Sequence, residues 1–415
     1  MTAAPSRRSG LLVPLFAASS SRSWGIGDIG DIAPLAAWLG AAGQRILQLL
    51  PLNEMAAGSH SPYSAMTAMA IDPIFLCVPD VPEFAAMGGE SSLDADDRRR
   101  LAHARHSAHV DYAAVRAVKG RALARAFDWF MDREWRRQTP RAVELQAYAA
   151  AQSWWLDDYA LFRAVHATES GRAWTAWPDG LRRRTADALD AARQALERDI
   201  LFRQYLQWLA AGQWHRARLT AAARGVAMFG DLPFMVDMDS ADVWARQACF
   251  DLDRSVGVPP DAFSATGQDW GMPSYNWQAM ASDDFGWLRD RARRSAELYD
   301  GFRVDHLVGF YRTYSRPRGD TGDAGFSPSD APDQLALGER VLQTFSSAGA
   351  EIVAEDLGIV PDFVRASLAR LGIPGLKVLR WEHDGHGVFR DPADYPAVSV
   401  ATTRSEEHTS ELQSP

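Results

Sequence analysis

The segment Tyr299-Asp300-Gly301-Phe302-Arg303-Val304-Asp305-His306-Leu307 alternates apolar and charged side chains. A period of two predicts a strand, with Arg303 and Asp305 on one face and Phe302 and Val304 on the other. A guanidinium two residues before a carboxylate on the same face favours the anionic form of that carboxylate, which suits a nucleophile or an electrostatic stabiliser and not an acid. Taken alone, the pair reads better as a structural ion pair at a strand end.

A second segment, Glu351-Ile352-Val353-Ala354-Glu355-Asp356-Leu357-Gly358, is another short apolar strand that ends in acids. Glu355 is in phase with Val353, and Asp356 is in the opposite phase. A helical stretch near Asp333 to Ser346 separates the two strands. Strands tipped by acids at their C-terminal ends and joined through helices are what a (β/α) barrel gathers around one mouth. One acid held anionic and one protonated are the pair that glycoside chemistry uses.

With these strands in place, six motifs in order carry a family resemblance. They are Ser23-Trp-Gly-Ile-Gly-Asp28, Ser61-Pro-Tyr63-Ser64, Gly230-Asp231-Leu-Pro233, Pro259-Pro-Asp-Ala-Phe-Ser264 with Gly267-Gln-Asp-Trp-Gly271, Gly301 to His306, and Ala354 to Gly358. The chain resembles the amylomaltases, the 4-alpha-glucanotransferases of glycoside hydrolase family 77 in the alpha-amylase clan, from residue 11 to about residue 403.

The resemblance implies an α/β fold, a (β/α)8 TIM-type barrel with an inserted helical subdomain. It implies transfer of α-1,4-glucan segments between maltooligosaccharides, with Asp305 attacking the anomeric carbon and Glu355 serving as acid and then base, so that two inversions give net retention. Tyr63, Asp231, Gln268, Trp270, Arg303 and His306 are the expected substrate-site residues, with Arg303 keeping Asp305 ionised and His306 bonding a sugar hydroxyl. No cofactor and no metal are expected. A retaining hydrolase of the same clan uses every one of these residues, and a glucan-binding protein could keep the barrel and its aromatics without catalysis.

Composition bounds the alternatives. Hydrophobic residues make up 47% and charged residues 23% of the 415, and no apolar run approaches the ~20 residues of a membrane span. With 44 basic and 53 acidic residues the net charge is −9, which disfavours nucleic acid or anionic lipid as partners and suits a neutral substrate. The expected state is a monomer or weak homo-oligomer. Cys77 and Cys249 are the only cysteines and have no metal-ligand spacing, so both read as buried thiols in a reducing cytoplasm. Arg7-Arg8 before the Leu11 to Ala18 run imitates a secretion signal, but the run is short and interrupted by Pro14, and it reads instead as the first barrel strand.

Along the chain, residues 1–93 read as the first part of the barrel, with strands at Leu11 to Phe16 and Arg45 to Leu50 flanking a helix closed by Gly43. Residues 94–225 read as the inserted helical subdomain, its tryptophans packing an amphipathic bundle. His103, His106 and His109 sit in a charged stretch that reads as a solvated helix face. Residues 226–403 continue the barrel, with a long Pro/Gly/aromatic active-site loop at 251–276 and further strands at Gly375 to Arg380 and Ala397 to Thr402.

Residues 404–415 have no apolar periodicity and read as a non-native tail, standing where the family carries a Thr-His-Asp motif. The fold is therefore expected to be incomplete after the seventh strand, and the 415-residue chain to be inactive and poorly behaved for want of a strand partner and a third acid. Expressed beside a version that carries the genomic continuation, it should melt at a lower temperature and fail to disproportionate maltotriose. Equal melting and equal turnover would overturn that expectation.

Overall fold

The computed structural model describes residues 7–56, 58–59, 61–260, 266–319, 323–384 and 386–403. The proposed tail at 404–415 lies outside the described residues, as do positions 261–264 of the Pro259 to Ser264 motif. The chain divides into two compact units, one formed by Arg8–Met228 with Asp239–Ala245 and the other by Phe229–Met238 with the chain from Arg246 onward.

In the first unit, β1 (Gly10–Val13) pairs in parallel with β2 (Ile46–Leu49), and α1 (Ile32–Ala41) forms the connection. The first strand is shorter than its apolar run. After Pro14 the chain turns into a 3-10 helix at Leu15–Ala17, which buries Leu15. At the far end of the unit, the Ala227 N–H donates to the Arg45 carbonyl at the start of β3 (Ala227–Leu232).

Between β2 and β3 lie the helices, of which α2 (Tyr112–Arg133), α3 (Ser153–Thr168) and α4 (Glu197–Ala223) are the longest. Trp155, Trp174, Trp177 and Trp214 are buried among them, as packing of an amphipathic bundle requires. Buried charge is paired: Lys119 meets Asp28 at 3.0 Å and caps the Ile74 and Leu76 carbonyls, while Glu54 takes Arg163 at 3.0 Å and the Tyr159 hydroxyl at 2.7 Å.

The second unit carries two sheets. One is a four-stranded sheet in the order β5-β4-β7-β8, made of β4 (Phe250–Val258), β5 (Gln268–Tyr275), β7 (Thr313–Pro317) and β8 (Gly325–Ser327), all antiparallel. This corrects the reading of 251–276 as a loop, because both arms of that segment are strands. Register shifts around Ser255 absorb the residues that look strand-breaking in sequence, and Pro273 stands opposite Ser255 within the ladder.

The other sheet is parallel. The remainder of β3 is followed in order by β6 (Gly301–Val304), β9 (Glu351–Ala354), β10 (Gly375–Val378) and β11 (Ser399–Thr402). Helices α5 (Gly286–Leu298), α6 (Ala331–Ser346) and α7 (Asp362–Leu371) alternate with these strands. Among the described residues the parallel strands number seven over both units, in the α/β pattern expected from the sequence.

Register places the charges. Asp231 on β3 stands opposite Arg303 on β6, and Arg303 stands opposite Val353 on β9. Asp305 and Glu355 each follow one residue beyond their strands, where the Asp305 N–H donates to the Leu232 carbonyl and the Glu355 N–H to the Val304 carbonyl. Asp356, in the other phase, accepts the Leu376 N–H at 2.8 Å and so ties β9 to β10, and burial pushes its carboxyl above the ordinary range.

Gly230 lies one residue before Asp231, with the buried Tyr299 ring against it, and an added Cβ would sit 2.3–2.5 Å from three ring atoms. Gly230→Ala should therefore destabilise the fold by about 1–3 kcal/mol through overpacking. A melting temperature equal to wild type would show that the ring has room to retreat.

Candidate active site

The centre of the site is the Arg303 guanidinium, 1% exposed, which three carboxylates share. Nη1 meets Asp231 Oδ2 at 2.7 Å, and Nη2 meets Asp305 Oδ1 at 3.0 Å and Glu355 Oε2 at 3.3 Å. A lone buried guanidinium would be very costly, and three acids from neighbouring strands make it tolerable. The sequence reading gave Arg303 to Asp305 alone. Parallel register adds Asp231 and Glu355, which no local spacing reveals.

Because Asp305 and Glu355 meet the same nitrogen, their nearest oxygens are separated by no more than those two contacts laid end to end. That bound lies below the ~6.5–9.5 Å of inverting glycosidases and leaves room for the ~5–5.5 Å of retaining ones.

The two acids are held differently. Both oxygens of Asp305 take a donor, Oδ1 from Arg303 and Oδ2 from the backbone N–H of Phe234 at 3.2 Å. In Glu355 both described contacts fall on Oε2, the second being the His306 backbone N–H at 2.5 Å. Asp231 is buried against Arg303, and its first task is to hold that cation.

His306 sits at φ +43°, a left-handed conformation that is unusual for a non-glycine residue and of the kind that collects at functional sites. Its ring makes edge contacts with Phe234 at 5.3 Å and Trp270 at 5.0 Å. Burial pushes the imidazole below its usual range, against the opposing pull of Glu355 and Asp305.

The hairpin brings Gln268 and Trp270 toward this ring, and the Trp270 indole N–H donates to Gln268 Oε1 at 3.0 Å. Asp269 is taken up by the hairpin itself, accepting from Ser255 Oγ at 2.5 Å and the Gly271 N–H at 2.9 Å. Tyr63 belongs to the first unit, half-buried, with its N–H on Ser61 Oγ at 3.3 Å. Among the described residues no group of three or more His, Cys, Asp or Glu side chains is arranged to hold a metal ion.

Phe234, Tyr275 and Arg291 were missed in the sequence. Phe234 contributes through its backbone amide, which any residue but proline supplies, so composition carries no signal for it. Arg291 did leave one, since it falls in phase with Trp287, Leu288, Ala292 and Leu298 on the buried face of α5.

The profile of the 4-alpha-glucanotransferase family matches residues 13–409. The chain belongs to glycoside hydrolase family 77. Among 4-alpha-glucanotransferases it is 35% identical to that of Synechocystis sp. over 391 residues, covering 91% of this chain and 74% of the relative. It is 34% identical to that of Thermus thermophilus over 389 residues, covering 90% and 73%.

The structure is similar to the amylomaltase of Streptococcus agalactiae solved in complex with acarbose, with a TM-score of 0.81 at 27% identity over 95% of this chain and 78% of that one. Amylomaltase from Corynebacterium glutamicum gives a TM-score of 0.77 at 26% identity, over 96% of this chain and 54% of that one. The family 77 chain is thus a 4-alpha-glucanotransferase with a TIM-barrel-type α/β fold. No helix among its described residues is long and apolar enough to cross a membrane.

The lowered His306 pKa makes a pH prediction for this family 77 enzyme. In the unfolded chain the imidazole takes a proton near pH ~6.5, whereas the folded site resists it to lower pH. Between those two values the unfolded state binds more protons, so this contribution is intact above the unfolded pKa and is lost as pH falls toward the folded one. The melting temperature of wild type should therefore drop more steeply from pH 7 to pH 5 than that of His306→Gln. Parallel curves would show that the ring is solvated.

Proposed function

We propose that Asp305 is the nucleophile and Glu355 the acid and base of this 4-alpha-glucanotransferase. The observation that carries the assignment is the unequal treatment of the two acids. Donors on both oxygens of Asp305 hold the carboxyl in place and fix its direction of attack. Donors gathered on Oε2 of Glu355 leave Oε1 as the oxygen available to pass a proton to and from the substrate.

In the first step Asp305 attacks the anomeric carbon of an α-1,4-glucan while Glu355 protonates the departing 4-oxygen, giving a β-linked glycosyl-enzyme. In the second step Glu355 takes the proton of an incoming sugar 4-hydroxyl, which attacks from the vacated face and restores the α linkage. Three carboxyls around one guanidinium leave negative charge in excess, which suits an oxocarbenium-like transition state.

Arg303 and Asp231 form the charge frame of the donor subsite. His306, held neutral, offers its ring to a sugar hydroxyl, and Gln268, Trp270 and Tyr63 supply a hydrogen-bonding amide and flat apolar faces. The substrates are maltooligosaccharides and longer α-1,4-glucans, taken by a cytoplasmic monomer or weak homo-oligomer that requires neither nucleic acid nor membrane. We keep residues 94–225 as the inserted subdomain and 251–276 as the segment that covers the acceptor side.

In the version that carries the genomic continuation, Asp305→Asn should lower turnover of maltotriose by several orders of magnitude with the fold retained. Glu355→Ala should be rescued by azide to an α-glycosyl azide, and Asp305→Gly to a β-glycosyl azide. More than about a tenth of wild-type turnover in Asp305→Asn, ~1.4 kcal/mol of barrier, would place the nucleophile elsewhere. A ladder of longer products with glucose from maltotriose marks transfer, whereas shorter products alone would mark hydrolysis.

A further inference from the structure

Arg291 lies on α5 outside the acid cluster, 2% exposed, with its guanidinium 4.8 Å over the Trp287 ring. Among the described residues no carboxylate forms an ion pair with it. Its donors go instead to the chain just after β3. Nη2 donates to the Pro233 carbonyl, while Nη1 donates to the Phe234 carbonyl at 3.3 Å and to Tyr275 Oη at 3.1 Å. The Tyr275 hydroxyl in turn donates to the Phe234 carbonyl.

A hydrophobic side chain could fill this space without the desolvation cost of a buried cation, so the cation calls for a reason. The Pro233 carbonyl and the Phe234 N–H belong to one peptide unit, and that N–H is the group that donates to Asp305 Oδ2. A cationic donor on the oxygen of an amide polarises it and strengthens its N–H as a donor.

We infer that Arg291 is a positioning residue for Asp305, acting through the peptide unit between Pro233 and Phe234. The carboxylate is thereby gripped from two sides, by Arg303 directly on Oδ1 and by Arg291 at one peptide's remove on Oδ2. Phe234 is the rigid joint of the relay. Its ring is locked edge-on against Phe310 at 4.8 Å and Tyr275 at 5.4 Å, so the amide has little freedom to turn. The inference rests on Asp305 being the nucleophile.

The test uses the chain extended with its genomic continuation and carrying Arg291→Met, Arg291→Lys or Tyr275→Phe, with Asp305→Asn in parallel. Melting temperature, kcat and KM for maltotriose, and the rate of glycosyl-enzyme formation from α-maltosyl fluoride are measured on folded protein. A loosened nucleophile should lower kcat and the glycosylation rate by about tenfold or more in Arg291→Met, while KM stays within about twofold. Arg291→Lys, which keeps the charge but loses the fork, should recover part of that loss. Tyr275→Phe should fall between Arg291→Lys and wild type.

Wild-type kcat in a folded Arg291→Met would overturn the inference. If Arg291→Met fails to fold, unchanged kcat in both Arg291→Lys and Tyr275→Phe overturns it instead. A normal Arg291→Met beside an inactive Asp305→Asn removes only the relay, whereas an active Asp305→Asn removes the nucleophile assignment and the relay with it.

Discussion

A single buried guanidinium organises the second unit of this enzyme. Arg303 reaches Asp231, Asp305 and Glu355 at once, and each of these acids comes from the end of a different parallel strand. The arrangement works only with Asp231 opposite Arg303 and Arg303 opposite Val353, because a slip of one residue would turn the guanidinium to the opposite face and leave the charges unpaired. Such a network adds little net stability and penalises every wrong register heavily.

Around that charge the chain builds rigidity from aromatics. Phe234 packs on Phe310, Tyr275 and His306, while Trp270 approaches His306 from the hairpin. These rings pack around the backbone amides that serve as donors and hold them in place. The left-handed turn at His306 belongs to the same construction. It directs the His306 N–H onto Glu355 immediately after the chain has delivered Asp305.

Much of this was legible in the sequence. The alternation at Phe302 to Asp305 announced a strand with Arg303 and Asp305 in phase, and the acids after Ala354 announced its counterpart. The helix expected near Asp333 to Ser346 is there as Ala331–Ser346. The segment at 251–276 was misread because Gly257, Gly271 and Pro273 are loop signals locally, whereas pairing with β7 and a shifted register place the same residues in strands.

The sequence by itself determined which residues are charged, which strands end in acids and the parity that puts Arg303 and Asp305 on one face, because period and phase are local properties of the backbone. Only the tertiary structure decided that Glu355 would share the guanidinium of Arg303, that the Phe234 amide would grip Asp305, and that Arg291 would stand behind that amide. These partners lie 49, 71 and 58 positions apart in the chain, taking Glu355 with His306, Phe234 with Asp305 and Arg291 with Pro233. Contacts at such separations are set by sheet register and helix packing, and backbone amides that serve as donors carry no side-chain signature to read in advance.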